Sequence, residues 1–271
     1  MAVLARRIFA AVALVAACGG AHADGVPAGW RLVWADEFDV DGLPDPGKWD
    51  YDTERNRLGW YNHELQYYAK ARRENAEVKG GRLVITARRE ALTAQPDYGG
   101  QRYTSARLVT RGKASWTYGF IGVRAKLPCG PGSWPAIWTL GTGGKWPVDG
   151  EIDIMEHVGN KPGEILGSIY TGAQNWPRGT GKTSTTSVPD ACGAFHDYQL
   201  TWTKERIRVG VDGRAYAELA NPGDGDYEKW PFDRPQYLLL NLAVGGDLGG
   251  AVQDASLPWR MEVEYVRVYQ P

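Results

Sequence analysis

Hydrophobic and polar residues alternate along this chain with a period of two far more often than with the helical period near 3.6. GRLVITARRE (81–90) follows a glycine turn, and YGFIGVRAKL (118–127) alternates until Pro128 stops it. DYQLTWTKERIRVGVDGRAYAEL (197–219) holds Asp212-Gly213 between two alternating runs, a dipeptide that favours a type I′ hairpin turn. YLLLNLAV (237–244) is apolar enough for a central strand covered on both faces. MEVEYVRVYQ (261–270) alternates strictly, placing Met261, Val263, Tyr265 and Arg267 against Glu262, Glu264, Val266 and Val268. Only NHELQYYAKA (62–71) reads as helical. Short strands, glycine-rich turns and no helical crossovers predict an all-β fold: a curved antiparallel β-jelly-roll sandwich with a concave substrate cleft. No linker or repeat interrupts residues 24–271, which read as one domain.

The first 23 residues break the pattern. Arg6 and Arg7 precede the apolar run Ile8–Ala17, which is too short to span a bilayer, and Ala21-His22-Ala23 fits small-x-small cleavage. The expected outcome is a signal peptide over 1–23 and a mature, secreted or periplasmic protein starting at Asp24. Val15-Ala16-Ala17-Cys18 also resembles a lipoprotein box, so lipidation at Cys18 is the one route to a membrane. Past the leader only Cys129 and Cys192 remain. They either bridge, in an oxidising compartment, or stay as two buried thiols; the sequence leaves both open.

Composition narrows the chemistry. With 43% hydrophobic and 23% charged residues and a net charge of −1, the chain is globular and nothing in bulk draws it to nucleic acid. Four His without zinc-type spacing argue against a metal hydrolase. Twelve Trp and 14 Tyr against 5 Phe favour rings with one polar edge, of the kind that stack on sugars.

GEIDIMEHVG (150–159) sets Glu151, Asp153 and Glu156 among Ile152, Ile154 and Met155. Period two puts Glu151 and Asp153 on one face of a strand, but strict alternation would bury Glu156 in the apolar layer, at high cost. A β-bulge near Ile154-Met155 returns Glu156 to the acid face. Glu151 and Glu156 are then about four strand steps apart, ~13 Å between Cα atoms. Their carboxyl groups can converge to roughly 5–6 Å, close to the spacing of a retaining glycosidase, though an inverting spacing is not excluded. Asp153 lies between them, suited to hold the nucleophile by a hydrogen bond and, through its charge, to raise the acid/base pKa. His157 is expected to face away from Glu156. Trp134, Trp138 and Trp146 lie just upstream.

At these residues the chain resembles glycoside hydrolase family 16, in particular its laminarinase-like bacterial β-1,3-glucanase branch. The resemblance covers GWRLVWADEF (29–38), NHELQYY (62–68), TSARLVT (104–110), GSWPAIW (132–138) and WPVDGEIDIMEHVG (146–159). It continues through FHDYQLTW (195–202), LNLAVGG (240–246) and EYVRVYQ (264–270). It implies a retaining endo-hydrolase with Glu151 as nucleophile, Asp153 as its helper and Glu156 as general acid/base. It also implies sugar subsites at Trp134, Trp138 and Trp146, with Asn62 and Arg107 facing the cleft. The E-x-D-x-x-E spacing departs from the E-x-D-x-E of xyloglucan- and lichenase-type relatives. Similar enzymes often carry a His where this chain has Tyr170, a phenol that hydrogen-bonds but does not charge near pH 6.

The resemblance further implies no catalytic cofactor. It suggests a structural calcium with Glu37, Gly81 and Glu264 as candidate ligands. The expected partner is a β-glucan polysaccharide, bound by a monomer. Two alternatives keep the same fold: a hydrolase of a galactan such as agar or carrageenan, and a non-catalytic glucan-binding module.

Overall fold

Strands form where the alternation is strongest. The computed structural model describes residues 25–271, so the leader and Cys18 lie outside the described residues. In chain order come β1 (Arg31–Asp36), β2 (Asp50–Tyr51), β3 (Gln66–Tyr68), β4 (Ala76–Val78), β5 (Leu83–Arg89), β6 (Tyr103–Ser105) and β7 (Arg107–Val109). The next four are β8 (Gly119–Lys126), β9 (Ser133–Gly141), β10 (Glu151–His157) and β11 (Glu164–Tyr170). Then follow β12 (Thr183–Ser187), β13 (His196–Trp202), β14 (Arg206–Val211), β15 (Arg214–Ala220), β16 (Gln236–Val244) and β17 (Trp259–Gln270).

Two sheets stack as a jelly roll. The front sheet has the order β12-β11-β10-β9-β16-β7-β2. The back sheet runs β15-β14-β13-β8-β17-β5-β6-β3, with β1 added to β17 and β4 to β5. Neighbours are antiparallel except the short β3–β6 pair, which is parallel. Between the sheets, Ile152, Ile154 and Leu240 of the front meet Val123, Leu200 and Val266 of the back, all fully buried. Each such side chain contributes about 1.5–3 kcal/mol relative to exposure, an upper range because the unfolded chain already buries some surface.

The turn after β14 has the expected form: Asp212 and Gly213 both take positive φ, 48° and 77°. Cys129 and Cys192 are bonded, with Cα atoms 5.8 Å apart, which settles the alternative the sequence left open. The bridge closes a loop containing β9, β10, β11 and β12, worth roughly 4 kcal/mol in the chain-entropy account. Among the described residues no helix is long and apolar enough to cross a membrane.

Two expectations give way. The segment 62–71 is not a helix: a single 3-10 turn at Tyr61–His63 leads into β3. Asn62 and His63 sit at φ 56° and 54°, which an α-helix does not admit. Side-chain bonds hold the segment extended, since Asn56 Oδ1 accepts from the Tyr68 backbone N–H and Gln66 Oε1 from that of Val244. The alternation of β17 is also not continuous. Its register against β8 shifts between Val263 and Tyr265, so Met261 and Val263 share the core face with Val266 and Val268, while Tyr265 and Arg267 turn outward.

Candidate active site

The acid strand carries the expected bulge. Against β9, Asp153 faces Trp138, Met155 faces Ile137 and Glu156 faces Ala136, with the register shifting between Asp153 and Met155. Against β11, Asp153 faces Ser168 and Glu156 faces Leu166. Ile154 and Met155 both point into the core, fully buried, and Glu156 rejoins the face of Glu151 and Asp153. A bulge breaks the ladder and leaves backbone groups in need of partners. Tyr216 of β15 reaches across from the back sheet to supply one. Its hydroxyl donates to the carbonyl of Ile154 at 2.9 Å and lies 3.1 Å from that of Leu166. Gly167 makes the approach feasible, because a Cβ there would stand 2.8 Å from the Tyr216 oxygen.

On the outer face an indole holds each glutamate. Trp146 Nε1–H donates to Glu151 at 2.5 Å, and Trp134 Nε1–H donates to Glu156 at 2.9 Å. Among the described residues, none of the three acids forms an ion pair. Burial therefore dominates and pushes the pKa of Glu151 and of Glu156 from 4.5 up to about 7. Asp153 is raised well above its ordinary value, first by burial and then by the charges of Glu151 and Glu156. It shares a hydrogen bond with Glu151 that favours the ionised form of Glu151 and the protonated form of Asp153. The charges of Glu151 and Glu64 raise the pKa of Glu156, and the charges of Glu156 and Asp153 oppose one another.

Glu64 escaped the sequence reading. It lies across the cleft floor, where the row Glu156–Ala136–Asn241–Arg107 runs over β10, β9, β16 and β7. Trp138 Nε1–H donates to Asn241 at 2.7 Å, Asn241 Nδ2 to the Tyr68 hydroxyl at 3.1 Å, and that hydroxyl to Glu64 at 3.4 Å. Gln66 Nε2 adds a bond to Glu64 at 2.8 Å. Asn62 also bonds Glu64. The signal was present: in an extended chain Glu64, Gln66 and Tyr68 share one face, and the helical reading of this segment hid it.

Arg107 stacks between Trp60 and Trp138, its guanidinium 5.2 and 4.7 Å from the ring centroids. Its Nε is 3.2 Å from Asp52. Its positive charge lowers the pKa of Glu151. Tyr170 sits opposite Glu151 on β11, buried, with its own pKa raised to about 12 by burial and then by Asp153. It stays a neutral phenol. The three tryptophans divide: Trp134 is buried and serves Glu156, Trp138 anchors Asn241, and Trp146 is half exposed.

His157 faces away from the acids as expected. It is buried, its Nε2 accepts from the Gly163 N–H at 3.3 Å, and burial lowers its pKa to about 4. Two of the three candidate calcium ligands, Glu37 and Glu264, are paired with arginine. Both carboxylate oxygens of Glu37 accept from Arg267, Glu264 accepts from Arg124 at 2.8 Å, and Gly81 sits in a positive-φ turn. Guanidinium groups already neutralise these carboxylates, so they do not fit a calcium site.

Comparison with known proteins identifies the family. Residues 63–267 match the family model of glycosyl hydrolases family 16. A β-glucanase of Rhodothermus marinus is 51% identical over 252 residues, covering 89% of this chain and 85% of that protein. The laminarinase structure from the same organism superposes with a TM-score of 0.83 at 50% identity, covering 89% of this chain and 97% of that one. SCLam, a non-specific endo-β-1,3(4)-glucanase, superposes with a TM-score of 0.88 at 55% identity, covering 90% and 92% of the two chains. This chain is a member of glycosyl hydrolases family 16.

Proposed function

We propose that the protein is an exported endo-β-glucanase that cuts laminarin-type β-1,3-linked glucan, and mixed-linkage β-1,3-1,4-glucan, by double displacement. The observation that carries this reading is the pair of glutamates on one face of a bulged strand, each held by an indole N–H, with Asp153 between them on the same face. The hydrogen bond from Asp153 favours the anion of Glu151, the form a nucleophile needs. The neighbouring charges of Glu151 and Glu64 favour the proton on Glu156, the form a general acid needs.

Glu156 delivers that proton to the glycosidic oxygen as Glu151 attacks the anomeric carbon, forming a glycosyl-enzyme and freeing the leaving sugar. Glu156, now a carboxylate, takes a proton from water, which displaces Glu151 and regenerates both groups. No cofactor enters these steps. Substrates of the similar enzymes support glucan over galactan. Arg107, whose charge lowers the pKa of Glu151, is already close to Asp52, which leaves little to recognise sulfate. A binding module would not require the Glu–Asp–Glu set.

Purified protein incubated with laminarin should release reducing ends, and NMR of the first products should show the β anomer. Initial α products would rule out double displacement, and no release from any β-glucan would rule out the substrate class. Export is tested separately: the mature protein should begin at Asp24.

A further inference from the structure

Trp176 is 60% exposed, yet the β11–β12 connection that carries it is firmly built. Asn175, almost fully buried, accepts from the Arg178 backbone N–H at 3.1 Å and donates to the carbonyls of Thr171 and Gly172 at 3.0 and 2.9 Å. Thr180 Oγ1 accepts from the Asn175 N–H at 3.0 Å. Gly181 closes against the indole itself, since a Cβ there would lie 3.2 Å from Trp176 Cδ2. A large apolar ring held in water by an ordered loop offers a fixed face on which a sugar can stack.

The ring is also continuous with the acids. Trp146, bonded to Glu151, has its ring centroid 6.5 Å from that of Tyr170, and Tyr170 is 6.3 Å from Trp176. Tyr170 is buried and offers no open face. Its hydroxyl instead accepts the indole N–H of Trp176, as Glu151 accepts that of Trp146. Both exposed indoles thus have their polar edge satisfied by protein, and their faces are left for a partner with an apolar side.

We propose that Trp176 is the platform of an additional glucan-binding subsite, stacking on a glucose ring that lies beyond the acids on the side away from Arg107. β11 and β12 lie on one side of β10 in the front sheet, and β9, β16 and β7 on the other, so the platform extends the cleft in the direction opposite to the Arg107 floor. The Arg178–Glu228 pair beside it, 3.4 Å apart, offers a donor and an acceptor to sugar hydroxyls. Because the loop is tied down, binding orders little and most of the stacking energy is retained. Tyr170 is the positioning residue behind this site, since its hydroxyl accepts the indole N–H of Trp176.

This inference rests on the β-glucanase reading, and its test separates the two. Wild type, Trp176→Ala and Trp176→Phe are compared on a graded series of β-1,3-gluco-oligosaccharides and on laminarin. Trp176→Ala should lose about tenfold in kcat/KM on the long substrates, chiefly through KM. It should match wild type on the shortest substrate cleaved, which does not reach the platform, and its Tm should be unchanged. Trp176→Phe should fall between the two. A uniform loss at every chain length, or full activity of Trp176→Ala on laminarin, overturns the subsite. Failure of the wild type on every β-glucan overturns the underlying reading instead.

Discussion

Acids on the back sheet and acids in the cleft keep different company. Behind, Glu37 is gripped by Arg267, and Glu264 and Asp197 share Arg124. In the cleft, Glu151, Asp153 and Glu156 meet indoles and one another, and burial drives their pKa values up. A carboxylate balanced by a guanidinium stays charged and spends its charge on structure. A buried one outside any ion pair takes up a proton more readily and can take part in proton transfer. The difference separates acids that brace from acids that react, and it can be probed from both sides.

The largest effect is expected from neutralising the reactive set. Glu156→Gln should lower kcat on laminarin by about 10²–10⁴-fold, and Glu151→Gln at least as much. Stability should move the other way. A carboxyl group whose folded pKa is raised from 4.5 to about 7 contributes stability that is full below its unfolded pKa and is lost as pH rises through about 7. Each Gln variant should therefore match wild type in Tm near pH 4 and exceed it by a few degrees near pH 8, as thermal melts across that range would show. A lower Tm at pH 8 would mean the acids brace the fold after all.

Next comes the strand that aims them. Tyr216→Phe removes the hydroxyl bonded to the bulge carbonyl of Ile154 and should cost about 1–3 kcal/mol in denaturant unfolding. A fall in kcat at unchanged KM would show that the bulge's geometry serves the reaction; unchanged kcat would confine Tyr216 to stability.

A subtler change is expected at the indole that holds the acid/base. The Trp134 N–H lowers the Glu156 pKa against the opposing effect of burial. Trp134→Phe should therefore shift the alkaline limb of the kcat/KM profile to higher pH, while an unmoved limb would disconnect Trp134 from that proton. The smallest effect belongs to the back sheet. Arg267→Gln breaks a partly exposed pair and should cost no more than about 1 kcal/mol, leaving the pH profile on laminarin unaltered.

What the sequence disclosed follows the same division. The bulge at Ile154-Met155 was legible because strict alternation would have buried a glutamate among isoleucines, a conflict visible in six residues. The shift within β17 was not, because Glu264 is followed by Tyr265 and Arg267, side chains that tolerate either face. Glu64 was hidden by the helical reading of its segment, and Asn241 for another reason. Its place beside the acids depends on which strands neighbour β10 in the sheet, and alternation reveals faces but not neighbours. Trp176 follows Tyr170 by six residues and carries no pattern of its own; only its bond to Tyr170 gives it meaning.

The central assignment is best tested by trapping the intermediate. Glu156→Gln given an activated β-glucoside, whose leaving group needs no protonation, should form the glycosyl-enzyme and hydrolyse it slowly. Rapid quenching and peptide mass spectrometry should then find one hexose-derived adduct on the peptide containing Glu151. An adduct on a different residue, or turnover without any covalent species, would contradict the account.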